Sequence, residues 1–463
     1  MTTTALTTAD HPAGDVTAGD ATGGRRRVPF AVVVAASMLS GLVTTLVLVL
    51  VVFAGATEPV ITGAGLVGLA SGWALLALLT TRWTSQPQRW AVVPAAVMAV
   101  TGVALLAVSP GNGTLTAAGW VWPPAALVLS VWMARAARRA TTGRSHWLLY
   151  PVIGLVTVTA VAGAVETITL DHDRGRFEMT GALYDVGGHR LHLDCRGTGS
   201  PTVLLQNGLN EITPLWSAVT AQVSGTTRVC AYDRAGQGWS DDADSPQDGR
   251  EVAGDLHALL SRAGEHGPYV LAGHSSGGTL ALTYAARYPA QVAGMVLLDS
   301  SSPHQYTDQP DFAGTYAMMR RLLPVMPALG RVGALHLIPA STATALTPEA
   351  AAEVRAFATS PRGANNMREE QAQLLNVFSQ AQALTSFDPK PLAVVTAREN
   401  ADGTKGWAAA QDQMAALSTN STHWTADTTH VGLLDDANGL PDSVRAITEV
   451  VTAVRTGTPL VTR

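Results

Sequence analysis

Five apolar stretches crowd the first third of the chain, at 28–53, 60–80, 90–108, 119–134 and 147–165, a pattern that belongs in lipid. A helix needs about 20 mostly apolar residues to cross the hydrocarbon layer of a bilayer. Four of the stretches meet or approach that length, and 119–134 is the shortest. Only 14% of the whole chain is charged, against about 25% in an ordinary soluble domain. The first stretch is longer than the apolar core of a signal peptide, so it reads as a spanning helix.

Arginine fixes the expected orientation, because Lys and Arg accumulate on the cytoplasmic side of a membrane. Arg25 to Arg27, then Arg82 and Arg89, then Arg135, Arg138, Arg139 and Arg144 fall at alternate ends of the stretches, while the intervening loops 54–59 and 109–118 carry no Lys or Arg. Five spans over 28–166 would leave the N-terminus inside and everything after residue 166 outside. Residues 1–27, rich in Thr, Ala, Gly and Asp ahead of the arginines, read as a disordered cytoplasmic tail. The five stretches contain no Asp, Glu or Lys, the groups that usually mark an ion path through a membrane, so an anchoring or lipid-presenting role is expected rather than transport. A net charge of −5 with no basic patch outside the apolar region gives no reason to expect a nucleic-acid partner.

After a boundary placed at 171–176 the pattern changes. Short β-rich runs at 182–186, 189–195, 202–206, 228–232, 269–274, 292–298, 392–396 and 423–425 alternate with helical patterns at 252–262, 278–287, 407–417 and 443–454. Such alternation implies a largely parallel sheet of about eight strands, covered on both faces. Residues 303–386 interrupt it with a Met-, Leu- and Pro-rich helical insertion. Thr347, Pro348 and Glu349 there form a helix-start signal. Within the sheet region Tyr269 to His274 lead into Gly273-His274-Ser275-Ser276-Gly277, followed by an Ala- and Leu-rich helix. Strand, sharp turn and helix around G-x-S-x-G make a nucleophile elbow, with glycines required by close backbone packing.

Together with Asp233-Arg234-Ala235-Gly236-Gln237-Gly238-Trp239-Ser240 and the later Thr429-His430, this elbow resembles the α/β-hydrolase superfamily, specifically its lid-bearing esterase- and lipase-like members. The resemblance covers about 182–455. It implies Ser275 as nucleophile and His430 as its base, since a serine hydroxyl needs an adjacent base that is itself oriented by an acid. Superfamily members with aspartate at the apex open epoxides or remove halide, so serine implies acyl transfer to water. For the acid, the usual position after the seventh strand aligns with the neutral Asn400. Asp299, after the sixth strand as in pancreatic-type lipases, is favoured, with Asp402 and Glu399 as alternatives. Backbone N–H groups of Leu209 and Ser276 would form the oxyanion hole, Asn207 standing where relatives usually carry histidine. The DRAGQGWS run is expected to be structural, as are His189, His192, His274 and His423. Met318, Met319, Leu322, Leu323, Met326 and Leu329 could line an apolar pocket above the serine or simply pack the lid. The superfamily's strand order makes the second and fourth strands neighbours, so Cys195 and Cys230 could form a disulfide.

The sequence thus yields an N-terminal all-α membrane bundle and, over 177–463, an α/β-hydrolase domain acting outside the cytoplasm on a small-molecule ester or lipid, without cofactor or metal. Acyl transfer to another acceptor, including perhydrolysis, and a non-catalytic binding domain are the alternatives. Oligomeric state is not legible.

Overall fold

The computed structural model describes residues 1–3, 28–339 and 343–461. The reading of 1–27 as a disordered tail lies almost wholly outside them.

Six helices build the N-terminal region. These are α1 (Phe30–Val47), extended by a π-helical turn Leu48–Val52, α2 (Glu58–Trp83), α3 (Val92–Val108), α4 (Asn112–Ala118), α5 (Trp122–Ala140) and α6 (Tyr150–Arg176). Four are long and apolar enough to cross a membrane, and there are five candidate spans if α4 and α5, bent by 45° at their junction, count as one. The expected fourth span at 119–134 is this broken pair, with Pro123 and Pro124 opening its second half. Small residues let backbones approach: a Cβ on Gly41 would lie 2.8 Å from the Gly72 Cα, so α1 and α2 cross at their glycines.

Two features add to the sequence reading here. The boundary placed at 171–176 is helical: α6 continues without a break to Arg176, leaving five residues before the first strand. The helices also reach beyond the apolar stretches and take in acids, Glu58 at the start of α2 and Glu166 in α6. Both are buried and both are paired with the C-terminal domain, Glu58 with Arg331 and Glu166 with His336.

The C-terminal domain is an eight-stranded sheet in the order β1-β2-β4-β3-β5-β6-β7-β8. Its strands are β1 (Ala182–Asp185), β2 (Arg190–Arg196), β3 (Thr202–Gln206), β4 (Val229–Asp233), β5 (Tyr269–His274), β6 (Val292–Leu298), β7 (Leu392–Ala397) and β8 (Ser421–Ala426). The hairpin β1–β2 and the β2–β4 pair are antiparallel, and the remaining pairs are parallel. β3, β5 and β7 are buried along their whole length, as strands covered on both faces must be. α7 (Ser217–Val223) and the last helix of the chain cover one face, with Trp216, Val219, Ile447 and Val451 in the core. α8 (Gly249–Ala263) and α9 (Ser276–Arg287) cover the other, around Leu256, Leu259, Leu282 and Tyr284. Cys195 and Cys230 are register partners on β2 and β4 and are joined by a disulfide.

Between β6 and β7 the insertion contributes α10 (Gln305–Asp308), α11 (Phe312–Leu322), α12 (Met326–Gly330), α13 (Pro348–Thr359) and α14 (Pro361–Ala381). Thr347 caps α13 through a 3.2 Å bond from the Ala350 N–H, and Pro348 follows at its first position. After β7 come α15 (Arg398–Gly403), α16 (Trp407–Ala415), α17 (Gly432–Asp435) and α18 (Leu440–Thr456).

Candidate active site

The sheet ends its central strands at one edge, and Ser275 stands there between β5 and α9 with φ 55° and ψ −128°. Four non-glycine residues among those described have positive φ, and three of them, Asn210, Ser275 and Asp299, lie at this edge. Such backbone costs on the order of 1–3 kcal/mol per residue and persists where the surroundings over-determine it. The elbow is held by three backbone bonds. Ser275 N–H donates to Leu298 O at 3.1 Å, and Ser275 O accepts from Gly278 and Ser301 at 3.1 and 2.9 Å. The flanking glycines are demanded by space, since a Cβ on Gly273 would fall 2.6 Å from Gly277 O, and one on Gly277 would fall 2.6 Å from Asn207 O.

Across from the serine, His430 sits in the turn after β8. Its Nδ1 lies 2.6 Å from Asp299 Oδ2, with the carboxylate fully buried and the ring partly open to solvent. Asp299 also accepts from the Ala397 N–H at 3.1 Å, the Trp407 indole at 2.7 Å and the Asn400 amide at 2.6 Å. These donors occupy the acceptor positions of the buried carboxylate. Asn400 reaches His430 Nδ1 as well, at 3.1 Å, so the position after β7 is occupied by a group that supports Asp299. Of the other two candidate acids, Glu399 accepts the backbone N–H of His430 at 2.7 Å and does not meet its ring. Asp402 makes no hydrogen bond to His430 among the described residues.

The loop after β3 carries Asn207 to Glu211. Arg234 donates to the carbonyls of Asn207, at 2.5 Å, and Gly208, at 2.9 Å, which fixes the two peptide units ahead of Leu209. That gives the DRAGQGWS run its purpose: it holds this loop. Asn207 occupies the place of the usual histidine and uses its buried amide on Tyr232 O at 3.0 Å. The N–H groups of Leu209 and Ser276 make no hydrogen bond among the described residues. A Cβ on Gly208 would lie 2.9 Å from the Ser275 Cβ, which places the loop directly against the elbow.

Two acids at the site gave no sign in the sequence. Glu211 pairs with His274 at 2.5 Å and also accepts the Gly208 N–H, while the other His274 nitrogen reaches His430 O at 2.9 Å. Burial alone would push the Glu211 carboxyl up, but the charge and hydrogen bond of His274 hold it below its ordinary value. Burial would push His274 down, and Glu211 overrides that to raise it. His274 is therefore more than a packing residue. The second acid, Glu370 on α14, accepts from Arg234, from Gln237 at 3.0 Å and from the Asn210 N–H at 2.8 Å, so the insertion is fastened to the loop. The other histidines have structural partners: His192 with Asp233 at 2.8 Å, His189 with Asp255 at 3.0 Å and His423 with Thr396 at 2.7 Å.

A cavity of about 330 Å³ is lined by Leu209, Ser276, Leu280, Arg368, Leu374 and, from the membrane region, Thr57. Of the two readings of Met318 to Leu329, lining of this cavity is not what the structure shows. α14 fills that place, and Met318 and Leu322 are exposed. Among the described residues one group has metal-ligand spacing, Cys195, Cys230 and Glu265, and its two sulfurs are spent in the disulfide.

With this geometry in view, residues 182–456 form an α/β-hydrolase fold domain. The family model described as alpha/beta hydrolase fold matches residues 201–323. Solved structures agree on the fold: the Cif epoxide hydrolase of Acinetobacter nosocomialis is 16% identical with a TM-score of 0.51, covering 61% of this chain and 95% of its own. Curated relatives include an uncharacterized protein of Schizosaccharomyces pombe, 31% identical over 32% of this chain and 33% of its own length. Another is the 2-(acetamidomethylene)succinate hydrolase of Mesorhizobium japonicum, 29% identical over 25% of this chain and 41% of its own. The chain spans less than half the length of these curated relatives.

Proposed function

We propose that this chain is a membrane-anchored serine hydrolase that cleaves carboxylic esters on the extracytoplasmic side of the membrane, with Ser275, His430 and Asp299 as its triad. The observation that carries the reading is the strained Ser275 apex, with the unengaged Leu209 and Ser276 N–H groups beside it and the His430–Asp299 pair opposite.

In this reading Ser275 Oγ attacks the ester carbonyl while His430 Nε2 takes the hydroxyl proton, and buried Asp299 stabilises the resulting imidazolium. Leu209 and Ser276 donate to the oxyanion, and fixed donors of this kind contribute several kcal/mol to such a transition state. The alcohol leaves with the proton from His430. Water, deprotonated by the same nitrogen, then attacks the acyl-enzyme and restores Ser275. Relatives named as hydrolases support hydrolysis, and serine at the apex supports an acyl intermediate.

Ser275→Ala in the full-length protein should abolish turnover of a short-chain aryl ester and labelling by a fluorophosphonate. Undiminished turnover would sink the assignment. Adding a competing acceptor such as hydrogen peroxide or an alcohol, with product analysis, separates hydrolysis from acyl transfer through the same triad.

A further inference from the structure

The insertion is keyed to the N-terminal helices by two contacts to buried carboxylates. Arg331, after α12, forks onto Glu58 at the head of α2, at 2.6 and 3.0 Å, and also donates to Thr116 at 3.0 Å and Asn112 at 2.9 Å on α4. Five residues later His336 meets Glu166 of α6 at 3.0 Å. The forked guanidinium–carboxylate pair fixes orientation as well as distance. α12 and the turn Leu323–Val325 also pack on α2.

These contacts set a depth. Glu166 lies sixteen residues beyond Tyr150, the start of α6, or about 24 Å along a helix rising 1.5 Å per residue. The hydrocarbon layer is about 30 Å thick. His336 is thus at the edge of that layer, and the two residues after it, Leu337 and Ile338, are 85% and 56% exposed. Met318 and Leu322, one turn apart on α11 of the same insertion, are exposed too, with Arg321 between them. α11 packs beside the turn Leu48–Val52 that ends α1, which sets it at the same end of the helical region.

We propose that this face of the insertion, Met318, Leu322, Leu337 and Ile338, is seated in the bilayer surface, and that the substrate is a membrane-dissolved ester. The path is the cavity running from Leu209 and Ser276 to Thr57, the residue before Glu58. The substrate half of this inference rests on Ser275 being an acyl-transfer nucleophile, whereas the seating does not.

The chain has two cysteines and both are in the disulfide, so a single introduced cysteine labels cleanly. Leu337→Cys and Ile338→Cys in the full chain, carrying an environment-sensitive fluorophore in lipid nanodiscs, should show blue-shifted emission quenched by spin-labelled acyl chains. Thr452→Cys, exposed on α18, should show neither. Equal emission and quenching at all three positions would overturn the seating. Leu337→Glu with Ile338→Glu should raise KM about tenfold for a long-chain ester dissolved in the nanodisc, and leave kcat/KM for a water-soluble acetate ester unchanged; the factor corresponds to losing one or two buried apolar groups. An equal effect on both esters would overturn the path. If the unaltered protein cleaves neither ester, the proposed function and the substrate half fail together, and the quenching measurement still decides the seating.

Discussion

Asp299 and Asn400 divide between them what one carboxylate commonly does alone. Both amide and imidazole face the same Oδ2, so the acid can be moved by exchanging the two side chains. Asp299→Asn should lower kcat by on the order of 10⁴-fold, because the imidazolium loses its counter-charge. Asp299→Asn with Asn400→Asp should regain at least about tenfold of that loss, since a carboxylate returns within reach of His430 Nδ1. No recovery in the double variant would mean that position 400 cannot orient the ring. Glu211 admits a pH test. Its lowered pKa means its contribution to stability is full above about 4.3 and lost as pH falls through the folded value; the raised pKa of His274 makes the opposite contribution, full below about 6.5 and lost as pH rises through its folded value. Glu211→Gln leaves a buried histidine without its anion, at a cost of about 3–5 kcal/mol. The fall in melting temperature should be largest near pH 5–6 and shrink on the alkaline side. A pH-independent difference would rule out the ion pair as its cause. That Ser275, Asp299 and His430 follow strands was legible from their order along the chain; which of Asp299, Asp402 and Glu399 meets the imidazole was not. Glu211 and Glu370 were not, because an acid in a loop has no local pattern and their partners lie 63 and 136 residues away.

Elements show the same division. The central strands were read within a residue or two, since runs such as Val292–Leu298 have no other use. The edge strand β8 carries Thr, His and Trp at mixed burial, and only its middle was legible. The insertion was recognised as helical, but which of its helices roofs the cavity depends on long-range ties such as Glu370 to Arg234, which periodicity does not contain. Glu370→Ala should therefore lower kcat for every ester while leaving fluorophosphonate labelling of Ser275 detectable, because it loosens the oxyanion loop and spares the nucleophile. Loss of labelling would place the defect in folding. The disulfide closes a separation of 35 residues, which in the chain-entropy picture stabilises by about 3–4 kcal/mol. Cys195→Ala with Cys230→Ala should lower the melting temperature by several degrees and leave KM unchanged; an unchanged melting temperature would show the bond contributes nothing.

At the scale of the whole molecule, spans and hydrolase domain are one packed body, joined through Arg331 and His336 as well as through the chain. Apolar length made the candidate spans legible, but the continuity of α6 was hidden because Asp171 to Arg176 look like the start of a soluble segment. The orientation proposed above predicts that a membrane-impermeant maleimide reacts with Thr452→Cys in intact cells, and failure to react before lysis would reverse it. The short connection between α6 and β1 has a kinetic meaning. Residues 177–181 can span at most about 18 Å, and the Arg331 and His336 contacts hold the domain against the helices, so in the proposed reading the catalytic mouth keeps a constant height over the lipid. An enzyme so placed would search a plane. Its rate on a bilayer-dissolved ester should follow the mole fraction of that ester among the lipids, and diluting the whole suspension with buffer should leave turnover per protein unchanged.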